Sequence, residues 1–204
     1  AGASHLELNQ MKRILAALTV LGAGAAIVMV GAADPATAAG RWRLDFEPGD
    51  FSHVVVAPKL GAGKVVYYLP YTLTNGSDAD RTPRVRIEVR TGTKKTFGDH
   101  FDAAAYAAIG KDLKKKKVNS TFDLRASELG TGKATEAAAH FGRMDDNADD
   151  LEVRVYGLWD PVYTDKRGKT WSENRVLVLK YHRAGDEYKR YEDPIKLVSR
   201  SDEI

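Results

Sequence analysis

Cysteine is absent from the sequence, and this absence removes several kinds of site at once. A chain without thiols has no disulfide bridge, no thiolate zinc site, no iron–sulfur cluster and no cysteine nucleophile. A folded domain without these cross-links is stabilised by its hydrophobic core. The roughly 165 residues that follow residue 38 are enough to form one.

A strong bias towards one sign of charge is also missing. The sequence has 31 Lys and Arg residues against 28 Asp and Glu residues, and its formal net charge is only +3. Nucleic-acid-binding domains usually carry a larger basic excess that is concentrated on one face. We therefore do not expect a nucleic acid as the partner.

The sequence lacks the motifs of the common enzyme classes. The histidines that follow the N-terminal segment show no paired metal-ligand spacing, and no Gly-x-Ser-x-Gly motif is present. Gly61-Ala62-Gly63-Lys64 lacks the Ser or Thr that follows the lysine of a phosphate-binding loop, so we interpret it as a hairpin turn. The carboxylates are numerous, but nothing in their spacing selects a catalytic pair.

A single segment near the N-terminus carries a long apolar run. Met11-Lys12-Arg13 is basic, Ile14 to Ala33 has no charged residue, and Ala36-Thr37-Ala38 has the small residues of a cleavage site. This order predicts that residues 11–38 are a signal peptide. A run of about 20 apolar residues is also long enough to span a bilayer, so a retained anchor helix is the alternative.

The leader divides the chain into three parts. Residues 1–10 do not begin with Met, and we interpret them as upstream or expression-tag sequence. Residues 39–204 show neither a repeat nor a linker, and we expect them to form one domain. Either form of the leader places that domain outside the cytoplasm, where it is periplasmic, secreted or anchored facing outward. It would contact a membrane only through an uncleaved N-terminal helix.

Alternation of apolar and polar residues predicts strands along most of residues 39–204. In the clearest case, Val85, Ile87 and Val89 alternate with charged residues. Ala134–Phe141 has a helix-forming composition, but we predict a strand because strands surround it. Pro70 and Pro194 suggest edge positions or a bulge. The predicted strands are 41–46, 53–56, 65–74, 84–91, 134–141, 151–156, 176–181 and 191–198.

These strands, with one short helix at Phe101–Ile109 capped by Asp99, predict an all-β fold made of an antiparallel β-sandwich. The segment Tyr67–Asp78, in which a Tyr- and Thr-rich strand runs into Asn-Gly-Ser-Asp, resembles exported bacterial immunoglobulin-like domains. Leu129–Phe141 followed by Leu151–Gly157 is similar to the later half of such domains. The resemblance implies an immunoglobulin-like β-sandwich outside the cytoplasm, and it transfers no active site.

The long loop Gly157–Asn174 is the first candidate site. It holds Trp159, Tyr163 and Trp171 among polar residues, and long loops on a rigid sandwich often carry binding residues. Aromatic side chains beside polar groups suit a sugar or a peptide. The alternative is packing over the end of the sandwich, which we expect for Trp159 more than for Trp171.

Two charged segments are further candidates. Asp145, Asn147 and Asp149 have the alternate spacing of the first half of an EF-hand loop, and Ca²⁺ is the one cofactor that the sequence suggests. Asp150 and Tyr156 occupy positions where that loop needs Gly and Glu, so an acidic turn is the simpler interpretation. Lys111–Lys117 contains five lysines and predicts either a solvated loop or a docking site for anionic lipid or an envelope polymer.

The sequence therefore predicts an exported, non-catalytic β-sandwich domain that binds or scaffolds at the cell envelope. Its expected partner is an envelope protein or a polysaccharide. A carbohydrate- or calcium-binding module is the first alternative, and an unrecognised hydrolase is the second.

Overall fold

Paired strands make up most of the folded part of the chain. The computed structural model describes residues 43–57, 62–165, 167–183 and 194–204. The predicted signal peptide and Trp42 lie outside the described residues. The strands are β1 (Leu44–Pro48), β2 (Ser52–Val56), β3 (Lys64–Asn75), β4 (Arg86–Thr91), β5 (Thr96–Gly98), β6 (Asn119–Ser120), β7 (Ala134–Gly142), β8 (Asp150–Tyr156), β9 (Val162–Thr164), β10 (Thr170–Ser172), β11 (Val176–Arg183) and β12 (Ile195–Glu203).

Within the described ranges the strands form two five-stranded sheets and a separate two-stranded ribbon. The first sheet has the order β1-β3-β7-β6, and β2 also pairs with β3. The second sheet has the order β12-β11-β8-β4-β5, and β9 pairs with β10. The pairings are antiparallel except that of β6 with β7. The predicted all-β class with antiparallel sheets is thus confirmed.

The inner faces of both sheets contribute to one main core. Val85, Ile87 and Val89 are completely buried, whereas Arg86 and Arg90 on the same strand are exposed. Leu151, Val153 and Val155 of β8 are buried in the same way, and β11 lies in the interior of its sheet, as predicted. The first sheet faces them with Leu44, Phe46, Tyr67, Leu69, Tyr71, Leu73, Ala137, Ala139 and Phe141.

The alanine-rich segment is a strand, as its surroundings predicted. In β7 the backbone of Ala134–Gly142 pairs with β3, and this ladder outweighs the helix preference of alanine. Ala137 and Ala139 face the main core, while Ala138 faces the opposite side of the sheet. The small side chain at Ala138 lets a helix lie close, and the Tyr106 hydroxyl donates to the Ala138 carbonyl at 2.8 Å.

The helices differ from the prediction in two respects. Helix α1 (Ala103–Asp112) is capped by Asp102, whose Oδ1 accepts from the backbone N–H of Ala104 and Ala105. The predicted cap Asp99 is wrong, because its carboxylate instead accepts from the His140 backbone N–H at 3.0 Å. A second helix, α2 (Thr121–Arg125), follows a capping box that begins at Ser120.

No helix in the described part of the chain combines the length and the apolarity needed to cross a bilayer.

Pro70 does not lie at an edge, because β3 is paired on both sides. It sits opposite the break between β1 and β2, where a strand N–H has no ladder partner, and its carbonyl accepts from the Gly49 N–H at 2.8 Å. The register irregularity of β3 lies at Tyr67/Tyr68 instead. Pro194 immediately precedes β12, which is an edge strand, as predicted.

Candidate ligand-binding site

The loop between β8 and β11 carries a short antiparallel ribbon made of β9 and β10. Tyr163 and Trp171 are direct cross-strand partners, so their side chains share one face of the ribbon. Val162 and Ser172 pair on the opposite face, where Val162 is 52% exposed. Neither face of the ribbon belongs to the core clusters.

Asp165 holds the turn of the ribbon. Its Oδ1 accepts from the backbone N–H groups of Arg167 and Lys169, each at 2.9 Å. Its Oδ2 accepts from the Trp171 indole N–H at 3.0 Å. The hydrogen bond from Trp171, followed by that from Lys169, lowers the pKa of the Asp165 carboxyl below its ordinary value. The carboxylate thus stays ionised and fixes the orientation of the indole ring.

Trp171 is a large aromatic side chain that remains accessible. It is 42% exposed, and the Lys169 ammonium lies 3.9 Å from the centroid of its ring. A cation over a ring face is favourable, and it holds the indole in one position. The predicted exposure of Trp171 is therefore confirmed. Its contacts with Lys169 and Asp165 hold the exposed ring in one orientation.

Trp159, in contrast to Trp171, is a buried residue of the core. It is 6% exposed, belongs to the main core and forms an isolated bridge with Arg43. The guanidinium groups of Arg43 and Arg175 lie 5.9 and 5.3 Å from the ring centroid. Burial of Trp159 in the main core agrees with the packing predicted for this residue. Its burial distinguishes it from Trp171, which is exposed on the ribbon.

A cleft of about 760 Å³ opens at the base of the ribbon, and we call it the base cleft. Gly157 lies in its lining with φ +79, and a Cβ there would come within 2.4 Å of the Arg84 carbonyl oxygen, so this position requires glycine. The lining is rich in charges of both signs. Its charged residues are Asp80, Arg81, Arg84, Arg86, Glu128, Glu173 and Arg175.

Sequence reasoning missed most of the base cleft. Its residues come from the segment before β4, from β4, from the segment between α2 and β7, from the end of β8 and from both ends of the β8–β11 loop. The loop itself was a candidate from the sequence, and outside it Arg84 and Arg86 gave a signal because both lie on the polar side of the alternation that predicted a strand. That pattern is equally typical of a solvated sheet face.

The acidic segment near Asp145 is organised around a buried arginine. Arg183 is 1% exposed, and its Nη2 donates to the carbonyl oxygens of Asp145, Asp146 and Ala148. Its Nη1 donates to the Tyr67 hydroxyl at 2.8 Å. These carbonyls therefore face an internal cation.

The side chain of Asp145, one of the three proposed calcium ligands, is held by neighbouring donors. The Asp145 carboxylate accepts from Thr93 and pairs with Lys95 at 2.9 Å, and its Oδ1 accepts from the Asn147 N–H. The hydrogen bond from Thr93, followed by that from Lys95, lowers the pKa of Asp145. Among the described residues, no group of three or more His, Asp or Glu side chains is arranged to hold a metal ion. Calcium binding by Asp145, Asn147 and Asp149 stays a prediction.

The structure brings two of the histidines together. The rings of His100 and His140 lie 4.3 Å apart, and the His140 Nδ1 is 3.1 Å from the His100 carbonyl oxygen. His140 is fully buried, and its Nε2 has no hydrogen-bond partner among the described residues. Asp99 is adjacent, and burial raises the pKa of its carboxyl. The cluster ties the segment before α1 to β7 and lines none of the clefts described above.

No protein-family model, curated protein or solved structure matches this chain. The proposals that follow therefore rest on the residues and on their geometry.

Proposed function

We propose that this chain is an exported, non-catalytic domain that binds another component of the cell envelope through the β9–β10 ribbon. The observation that carries the proposal is the state of Trp171. Its ring is exposed, its indole N–H is held by Asp165 and its neighbour across the ribbon is Tyr163. Fixed, exposed aromatic side chains provide much of the binding energy at protein contact surfaces.

A quantitative capture experiment tests this proposal. The full chain, Trp171→Ala and Val162→Ala would each be immobilised and exposed to an envelope extract from the source cells. Val162 is the matched control, because it is an exposed apolar residue on the opposite face of the ribbon. We expect a component that the unmodified chain and Val162→Ala both retain and that Trp171→Ala loses.

Equal capture by Trp171→Ala and by the unmodified chain would contradict the proposal. Equal loss in both variants would also contradict it, because that result would show damage to the ribbon without a role for the aromatic face. The thermal midpoint of each variant is measured in parallel, so that loss of binding is not confused with unfolding.

Carbohydrate is the second candidate for the ligand. The observation that favours it is the position of the Tyr163–Trp171 pair on the same loop as the base cleft, which offers arginine donors and carboxylate acceptors. Sugars combine apolar ring faces with many hydroxyl groups, so they can use both kinds of surface. Calorimetric titration with a panel of neutral and acidic oligosaccharides tests this candidate, with Trp171→Ala expected to release no binding heat.

Export and the immunoglobulin-like character of the sandwich belong to the same proposal. The charge-free run Ile14–Ala33 and the small residues at Ala36 and Ala38 support cleavage after Ala38. Amino-terminal sequencing of the exported protein should therefore give a product that begins at residue 39. A product that still contains Ile14–Ala33 would favour the anchor alternative.

A further inference from the structure

The lysine-rich segment that begins in the last turn of α1, which we call the lysine loop (Lys111–Lys117), is held in place by backbone hydrogen bonds and apolar contacts. The Leu113 and Lys115 N–H groups donate to the carbonyls of Ile109 and Gly110 at 2.9 and 2.8 Å. Leu113 packs against the second core cluster, and Val118 does the same just beyond the loop. A Cβ on Gly110 would come within 3.1 Å of the Lys115 carbonyl oxygen, so glycine permits this tight closure.

Several lysines of the loop form no ion pair with a described residue. Lys115 pairs with Glu136, but the ammonium groups of Lys114, Lys116 and Lys117 have no hydrogen bond or ion pair with any described residue. Lys114 adopts a left-handed backbone conformation, with φ 55. An ordered loop with several unpaired cations produces a local positive potential that attracts anions.

A cleft of about 530 Å³ lies beside the loop, and we call it the lysine cleft. Lys115, Lys117 and Asn119 contribute to its lining. The outer face of the first sheet supplies Glu47, Thr72 and Glu136, which are direct partners across β1, β3 and β7. The cleft therefore offers a row of oxygen-bearing side chains next to a cationic wall.

We propose that the lysine cleft is a second binding site, separate from the ribbon, and that it takes a carboxylated polysaccharide. The ammonium groups of the loop would pair with the sugar carboxylates. The carboxylates and hydroxyl group of the Glu47–Thr72–Glu136 row would bond to sugar hydroxyls. Such a ligand matches a concave site that has cations on one side and hydrogen-bond acceptors on the other.

An anionic membrane surface fits this region less well. Lys115 and Lys117 line a concave site, which the flat surface of a membrane does not enter. The large apolar residues of the described chain that are exposed include none from the lysine loop, so the loop has no such side chain to insert into lipid.

Binding of polygalacturonate to the full chain tests the proposal. The variant Lys114→Gln/Lys116→Gln/Lys117→Gln removes three positive charges from the loop. The matched control Lys94→Gln/Lys133→Gln/Lys196→Gln removes three elsewhere, from lysines that also lack an ion pair in the described residues. We expect the loop variant to bind about tenfold more weakly, with the control within about twofold of the unmodified chain. Higher salt should weaken binding by the unmodified chain.

The variant Glu47→Gln separates binding in the cleft from simple charge attraction. If Glu47 accepts hydroxyl groups of the sugar, removing its charge weakens binding to polygalacturonate, by about fivefold. If the loop attracts any polyanion without using the cleft, the same change strengthens binding, because one negative charge is lost.

Several results would overturn the proposal. These are absence of binding to polygalacturonate at low salt, equal weakening in the loop variant and its control, and stronger binding in Glu47→Gln. Binding to phosphatidylglycerol vesicles in preference to polygalacturonate would assign the loop to a membrane surface instead. Because Trp171 plays no part in this site, Trp171→Ala should bind polygalacturonate as the unmodified chain does.

Discussion

Ile87 and Arg86 are neighbours in β4, yet their side chains lie on opposite faces of the second sheet. Ile87 is completely buried in the main core, and Arg86 is exposed with its guanidinium 4.2 Å from the Tyr156 ring centroid. Ile87→Ala should lower the free energy of unfolding by about 2–5 kcal/mol, because it leaves a cavity. Arg86→Ala should cost less than about 1 kcal/mol. Chemical denaturation of both variants measures the difference, and equal costs would contradict this strand register.

Arg183 is a residue whose burial and contacts could not be inferred from the sequence. It follows the exposed His182 at the end of β11, and in the sequence it looks like one more charged residue at a strand end. In the fold it is buried, and it donates to three backbone carbonyls of the acidic segment and to Tyr67. The sequence suggested a cation site near Asp145 but gave no cue that an arginine lies there.

At the scale of elements, the strands were the most predictable part of the chain. In β4 and β8 one apolar face alternates with one charged face, and this periodicity depends only on the pleat of the strand. β7 required its neighbours for a correct prediction, because the alanine-rich sequence alone favours a helix. Helix α2 has five residues, too few for a periodic pattern, and the capping box at Ser120 and Asp123 was its one available signal.

Replacing the two tryptophans of the β8–β11 loop should have different effects on stability, because Trp171 lies on the ribbon and Trp159 lies in the core. Trp171→Ala should leave the free energy of unfolding nearly unchanged, within about 1 kcal/mol, because it removes a side chain outside both core clusters. Trp159→Ala should cost about 3–5 kcal/mol, because that ring belongs to the main core. Thermal unfolding of both variants is the measurement. A large fall in the midpoint of Trp171→Ala would argue against a binding role for the ribbon.

The binding surfaces were less predictable from the sequence than the strands, because elements from different parts of the chain form them. Tyr163 and Trp171 lie in one continuous loop, so the sequence could identify them together. The base cleft combines Arg81, Arg84 and Arg175 from segments that are far apart in the chain. Only the pairing of β4 with β8 and of β8 with β11 brings these segments together.

At the scale of the whole molecule, the buried His140 makes stability depend on pH. Burial lowers the pKa of His140 below its ordinary value of 6.5, so the unfolded chain binds a proton more readily than the folded chain does. The free energy of unfolding should therefore fall as the pH drops below about 6.5. The charged and polar groups that face His140 are His100, Asp102, Lys64 and Tyr106.

Urea unfolding of the unmodified chain and of His140→Gln between pH 7 and pH 5 tests this expectation. The unmodified chain should lose more stability over that interval than the variant. Burial also lowers the pKa of His53. The His140→Gln variant should therefore still lose some stability over this interval. Burial raises the pKa of Asp99. Protonation of this carboxyl at more acid pH should therefore increase the free energy of unfolding and oppose the effect of the histidines. Equal losses in the two proteins would show that His140 does not contribute.

The indole N–H of Trp171 reports directly on ligand contact at the ribbon. In a ¹H–¹⁵N spectrum of the full chain, the indole groups of Trp42, Trp159 and Trp171 give three signals, which the variants Trp171→Ala and Trp42→Phe assign. Adding the envelope component captured by the unmodified chain should shift the Trp171 signal and leave that of the buried Trp159 nearly in place. An unchanged Trp171 signal, with shifts confined to other parts of the domain, would contradict binding at the ribbon.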